Sequence, residues 1–117
     1  MTWAAMMTRV RLAVDDKVLS APRVTDSELV AIVADGIREI RRINPASRYG
    51  ADLLLMPEGV AEPQASALGT TELPLAERWL GALFHYACSR VFGLDTSESS
   101  NREASNQNYA RFQQAAL

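Results

Sequence analysis

The stretch that decides the fold runs from Pro74 to Phe92 and reads PLAERWLGALFHYACSRVF. Proline suits the first turn of a helix and Gly93 suits its end, so this pattern predicts a helix over residues 74–92. Large apolar side chains recur around most of the circumference and leave only a narrow polar stripe. A helix of this kind is central in a fold or is buried between two partners. Because the rest of the chain offers few side chains to surround it, we expect its missing neighbours to be other chains.

Composition indicates a single globular domain spanning residues 1–117. Apolar residues make up 48% of the chain and charged residues 22%, which is typical of a folded protein. A net charge of −2 argues against a protein that mainly wraps nucleic acid. The one cysteine, Cys88, offers neither an internal disulfide nor metal-ligand spacing. We expect no cofactor, no signal peptide and no membrane span, since no apolar run approaches the ~18 residues that a span needs.

Two helices are predicted before the middle of the chain. Apolar residues at three- and four-residue spacings predict a first helix over residues 3–14, with Thr2 as a candidate cap. The sequence Thr25-Asp26-Ser27-Glu28 resembles a capping box and predicts the start of a second helix, which ends near Asn44-Pro45. Gly36 lies within that helix, and the close approach of a neighbouring element is its simplest explanation.

Residues 45–73 lose the helical period and predict a long ordered loop with one short hairpin. After the central helix, a last helix is predicted from about Ser99 to Ala115. It is rich in Asn and Gln, and Tyr109 and Phe112 are its only large apolar side chains. The predicted fold class is therefore all-α, a four-helix bundle with an irregular or short-hairpin segment between helices 2 and 3.

Catalytic chemistry finds little support in the sequence. His85 and Cys88 lie three residues apart on the central helix, but Cys88 belongs to its apolar arc and no third orienting residue is evident. Two carboxylate pairs occur, Asp15-Asp16 and Glu58 with Glu62. Both are typical of solvent-exposed acids at helix ends and in loops, and not of an acid–base catalytic pair. We therefore expect no enzyme and no catalytic, cofactor or metal residue.

Four arginines are the best candidates for nucleic-acid contact: Arg38, Arg41, Arg42 and Arg48. Asp35 and Glu39 each lie three residues from an arginine, so ordinary ion pairs on the helix surface are the simpler interpretation. Reading of bases in a DNA groove is disfavoured because Pro45 interrupts the expected recognition helix.

The abundant apolar surface and the amide-rich last helix leave two hypotheses open. One is a subunit of an assembly, since amides donate and accept hydrogen bonds in a polar interface without the desolvation cost of charges. The other is a small helical regulatory or interaction module that acts as a monomer or dimer, in which three helices cover the fourth.

The order of landmarks resembles head-to-tail adaptor proteins of tailed phages, especially short-tailed ones. The opening of that family is matched by Val10–Asp15, Val24–Leu29, Asp35–Ile40 and Asn44-Pro45. Its closing pattern is matched by Leu73–Leu75, Tyr86–Arg90, Asp95, Asn101, Ala104, Tyr109 and Phe112. The middle, residues 46–71, is shorter than the β-rich insertion of many members.

This resemblance implies a virion structural protein that is assembled in the host cytoplasm. It implies a ring of twelve copies below the portal, which binds portal and tail or nozzle proteins and lets genomic DNA pass without sequence reading. The expected interface residues are Trp79, Phe84, Arg90, Asn101, Tyr109, Arg111 and Phe112. The four arginines at 38, 41, 42 and 48 would then line the DNA channel or carry surface charge.

Overall fold

A computed structural model describes residues 1–14, 24–50, 52, 54–57, 59–94 and 99–117. Within these residues the chain forms four α-helices and no strand, which confirms the predicted all-α class. The helices are α1 (Trp3–Ala13), α2 (Asp26–Ile43), α3 (Leu80–Phe92) and α4 (Ser99–Ala116). Three short 3-10 turns interrupt the segment between α2 and α3, at Pro45–Arg48, Ala65–Ala67 and Glu77–Trp79.

The first two helices begin at the predicted caps. The Thr2 hydroxyl accepts a hydrogen bond from the Ala5 amide at 3.2 Å, and the Thr25 hydroxyl accepts one from the Glu28 amide at 3.2 Å. The Glu28 carboxylate accepts a hydrogen bond from the Thr25 hydroxyl at 3.0 Å. In a standard capping box this carboxylate would instead accept from the backbone amide of the cap residue. These side chains satisfy amides that lack a partner in the first turn. α2 ends at Ile43 and is followed by Asn44 and Pro45, as predicted.

The central helix begins six residues later than the sequence predicts. Pro74 lies in a bend, and its carbonyl accepts a hydrogen bond from Arg41 of α2 at 2.9 Å. The Leu75 amide bonds the Leu73 carbonyl at 2.8 Å, which is a tight turn and not a helical bond. Only after the 3-10 turn Glu77–Trp79 does the chain become α-helical.

The expectation that α3 lacks neighbours within its own chain is wrong. Its buried side chains are Leu80, Ala82, Leu83, Tyr86, Ala87, Cys88, Ser89 and Val91. The other three helices and Leu73, Leu75 and Trp79 join them in one core. Phe84 and Phe92 stay half-buried. Most of the apolar surface of α3 is thus covered inside the chain, because helices that look weakly apolar each supply a few well-placed side chains.

The last helix docks on α3 largely through polar contacts. The Ser89 hydroxyl donates to the Ser105 carbonyl at 2.9 Å, and the Ser105 hydroxyl donates to the Ser89 carbonyl at 2.9 Å. Nδ1 of His85 lies 3.1 Å from Oδ1 of Asn108. Phe112 and Ala116 are the two buried side chains of α4.

The irregular segment is held to both ends of the fold. Backbone hydrogen bonds join Trp3 to Thr71, Ala4 to Leu68 and Leu73 to Met1, at 2.9 to 3.1 Å. An isolated bridge pairs Tyr49 with Leu55, within the segment where the sequence predicts a short hairpin, but no strand extends from it in the described residues. This segment encloses one side of α2 and so positions the charged surfaces described next.

Candidate functional site

The structure brings together all four arginines that the sequence marks as candidates. Arg38, Arg41 and Arg42 leave the C-terminal half of α2, and Arg48 ends the 3-10 turn that follows Pro45. Together they line one open concavity, which we call the arginine concavity. Arginine guanidinium groups bind carboxylates and phosphates through paired hydrogen bonds, so the concavity is suited to an anionic partner.

Arg41 forms the floor of the arginine concavity and is only 8% exposed. Its Nη1 donates to the Pro57 carbonyl at 3.1 Å, and its Nη2 donates to the Pro74 carbonyl at 2.9 Å. Burial lowers the pKa of Arg41 from its usual value, and the nearby positive charge of Arg48 lowers it further. This guanidinium therefore fastens the irregular segment to α2 while it contributes charge to the concavity.

Arg38 and Arg42 lie at the rim and pair with acids of the same helix. Nη1 of Arg38 donates to Oδ1 of Asp35 at 2.8 Å, and Arg42 donates to Glu39. The hydrogen bond from Arg42 is the main cause that lowers the pKa of Glu39, and Glu39 in turn raises the pKa of Arg42. The predicted helix-surface ion pairs are confirmed. About half of the Arg38 side chain and most of the Arg42 side chain remain exposed.

A second concavity of opposite charge lies at the start of the same helix. It is lined by Asp26, Ser27, Val30, Glu62, Pro63, Ala65 and Leu68, and we call it the acidic concavity. Arg11 of α1 donates to Asp26 at 2.6 Å, whereas the Glu62 side chain is exposed. No sequence pattern indicates this site, because only the path of the irregular segment brings Glu62 close to α2. The predicted partner of Glu62, Glu58, and the pair Asp15-Asp16 lie outside the described residues.

The seven residues expected at an interface do not share one surface. Trp79 and Phe112 are buried in the core of the chain, so as folded they offer no surface to a partner. Phe84 and Asn101 are half-buried, while Arg90, Tyr109 and Arg111 are exposed. Of the exposed three, Tyr109 and Arg111 lie on α4 and Arg90 lies on α3. Periodicity alone does not separate the buried residues from the exposed ones, because Phe112 and Tyr109 are both large apolar groups on a polar helix.

Cys88 and His85 have no arrangement suited to nucleophilic catalysis. Cys88 is buried, and burial raises the pKa of its thiol to about 12, although the charge of Arg9 opposes this. A thiolate is the reactive form of cysteine, so the fold keeps this thiol in its unreactive form. His85 lies against Asn108 and against the edge of the Phe84 ring.

Among the described residues, no three His, Cys, Asp or Glu side chains gather as metal ligands. No helix in this part of the chain is long and apolar enough to cross a membrane.

Comparison with known proteins gives no further guidance, since no protein family, curated protein or solved structure matches this chain.

Proposed function

We propose that this chain is a structural subunit, a head-to-tail adaptor that forms a ring below a phage portal and joins capsid to tail. The proposal starts from the order of sequence landmarks that resembles that family. The four-helix fold is consistent with it, since the capped second helix, its proline stop and the long last helix all occur within the described residues.

The single observation that carries the proposal is the exposed side of α4. This helix is 18 residues long, yet only Phe112 and Ala116 of it are buried. Four amide side chains on it are exposed: Asn106, Gln107, Gln113 and Gln114. A row of uncharged amides suits a polar interface, because each both donates and accepts hydrogen bonds. Exposed Tyr109 and Arg111 add residue types that are enriched at protein interfaces.

The contacts of Cys88 and His85 support a protein without an enzymatic role. A neutral buried thiol and a histidine that bonds an asparagine fit packing between α3 and α4. In the proposed assembly, twelve copies form the ring, portal and tail or nozzle proteins are its partners, and genomic DNA passes through its channel. The protein would then be part of the virion, assembled in the host cytoplasm.

A small regulatory or interaction module, acting as a monomer or dimer, is the second candidate. One observation favours it. The core is self-contained, because the chain itself covers α3, including Leu83 and Val91, which are fully buried. The two candidate functions differ in the partner of the exposed side of α4. In the adaptor this surface contacts the other proteins of the assembly, whereas in a monomeric module it faces solvent.

Binding to the portal ring tests the proposal. The purified chain is mixed with the portal protein of the same phage, and mass is measured by light scattering while rings are imaged by electron microscopy. We expect a complex that contains both rings, and we expect the double variant Tyr109→Ala, Gln113→Ala to weaken it. Leu12→Ala, which alters an exposed leucine of α1, is the matched control and should bind normally. Failure of the folded chain to bind the portal would overturn the adaptor proposal.

A further inference from the structure

The two concavities place opposite charges at the two ends of α2. Asp26 opens the helix and Arg41 lies fifteen residues later, which at the α-helical rise is a distance of about 22 Å. At ~100° per residue, Arg41 lies about 60° and Arg38 about 120° from Asp26 around the helix, so the two charged ends are offset around the helix axis as well as along it. A surface of this form is complementary to a second copy of itself that is displaced along the helix.

The charge at the two ends of α2 is not confined to the residues of the helix. Acids in the first turn and arginines in the last turn do stabilise a helix, and α2 has both. However, Arg48 and Glu62 belong to other segments and still line the concavities at the matching ends. The charge at each end of α2 is therefore extended by a side chain from outside the helix, which widens each charged surface.

The two ends also offer suitable chemistry for mutual contact. Arg42 is an exposed guanidinium at the rim of the arginine concavity, and it donates hydrogen bonds to Glu39 of its own helix. Glu62 is an exposed carboxylate at the rim of the acidic concavity, beside Pro63 and the buried side chain of Leu68. Arginine and carboxylate groups form paired, directional hydrogen bonds.

We propose that these ends are a self-association surface, on which the arginine concavity of one copy takes carboxylates from the acidic end of α2 in a second copy. The inference rests on the proposed homo-oligomer and names the surface that holds it together. Such a contact joins two different patches, and repeated contacts of this kind close into a ring when the rotation between copies allows it.

Charge reversal tests this surface. Association of the wild-type chain is measured by light scattering in about 50 mM and about 500 mM salt, between which the Debye length falls from ~14 Å to ~4 Å. We expect oligomers at low salt and a shift toward single chains at high salt. Arg42→Glu and Glu62→Arg should each weaken association about tenfold or more, and an equimolar mixture of the two variants should restore it, because each reversed end then meets an end of opposite charge.

The matched control is Glu77→Arg with Arg78→Glu, which reverses two exposed charges just before α3 and should leave association unchanged. Circular dichroism shows whether each variant is folded. A wild-type chain that stays single at low salt, or a mixture that fails to restore association, would overturn this inference. Portal binding of the wild-type chain separates the two proposals. A wild-type chain that stays single but binds the portal overturns only this surface, and a wild-type chain that self-associates as described but does not bind the portal overturns only the adaptor proposal.

Discussion

Gly36 of α2 faces Leu83 of α3 so closely that a Cβ atom placed on the glycine would lie 2.7 Å from Cδ1 of Leu83. The ring of Tyr86 is nearly as close, with its Cδ1 at 2.8 Å. Real Cβ atoms do not approach other heavy atoms to this distance, so only glycine lets the two helices pack at this separation. The close approach that the sequence suggested for Gly36 is confirmed.

Replacing Gly36 with alanine should therefore destabilise the fold despite the better helix propensity of alanine. The propensity gain is about 1 kcal/mol, while forcing an added methyl into a packed core costs about 1–3 kcal/mol. We expect a net loss, measured as a lower urea midpoint. Gly81→Ala is the control, because nothing lies within 4 Å of its Cβ position, and it should be neutral or stabilising. Equal effects at both sites would contradict the packing argument.

Phe112 and Tyr109 should behave in opposite ways although they are neighbours on α4. Phe112 is fully buried and its ring centroid lies 5.1 Å from that of Tyr86. Phe112→Ala should lower the free energy of unfolding by about 3–5 kcal/mol. Tyr109 is 42% exposed, so Tyr109→Ala should cost much less stability. Chemical unfolding of both variants checks this, and a small loss for Phe112→Ala would mean that α4 is not docked as described.

Arg41 should matter for stability far more than Arg42. Arg41→Gln removes the two hydrogen bonds to Pro57 and Pro74, and each bond from a charged donor is worth about 1.5–3 kcal/mol. Arg41→Lys should not restore them, because an ammonium lacks the planar fork that spans two carbonyls. Arg42→Gln, in contrast, should leave the unfolding midpoint unchanged. Hydrogen exchange of residues 57–74 provides a second measurement, with faster exchange expected only in the Arg41 variants.

The thiol of Cys88 should make stability depend on pH in the alkaline range. The unfolded chain releases this proton near pH 9, whereas the folded chain holds it until about pH 12. Between these values the unfolded state binds fewer protons, so stability falls as pH rises. Comparison with Cys88→Ala isolates this contribution, and the variant should lose less stability between pH 9 and pH 11. Parallel pH profiles would show that the thiol is not desolvated.

Local sequence signals predict helix ends well where the capping residue acts on its neighbours. They fail where a contact with a residue distant in sequence determines the backbone conformation. Thr2, Thr25 and Pro45 act on amides within a few residues, so their effects could be read from the sequence. Pro74 was misassigned to a helix because its role depends on a hydrogen bond from Arg41, which lies 33 residues away.

The candidate sites also differ in how far the sequence predicts them. The arginines on α2 were visible as a group, but their union with Arg48 in one concavity depends on the turn after Pro45. The acidic concavity was missed, since Glu62 and Asp26 are far apart in sequence. The docking of α4 on α3 could not be predicted from hydropathy, because hydropathy does not register the reciprocal hydrogen bonds between Ser89 and Ser105.

The backbone bonds between the start of the chain and residues 68–73 join parts of the chain that are far apart in sequence. α3 and α4 are joined by a short connection, whereas the pair Met1 and Glu72 is separated by 71 positions. Closing a loop of that length costs about 2 kcal/mol more entropy than closing one of ~10 residues. The contacts of α1 with residues 68–73 are therefore entropically more costly to form than those between α3 and α4. A chain in which these contacts are broken would present apolar side chains of α1, such as Trp3 and Met6, that the finished fold buries.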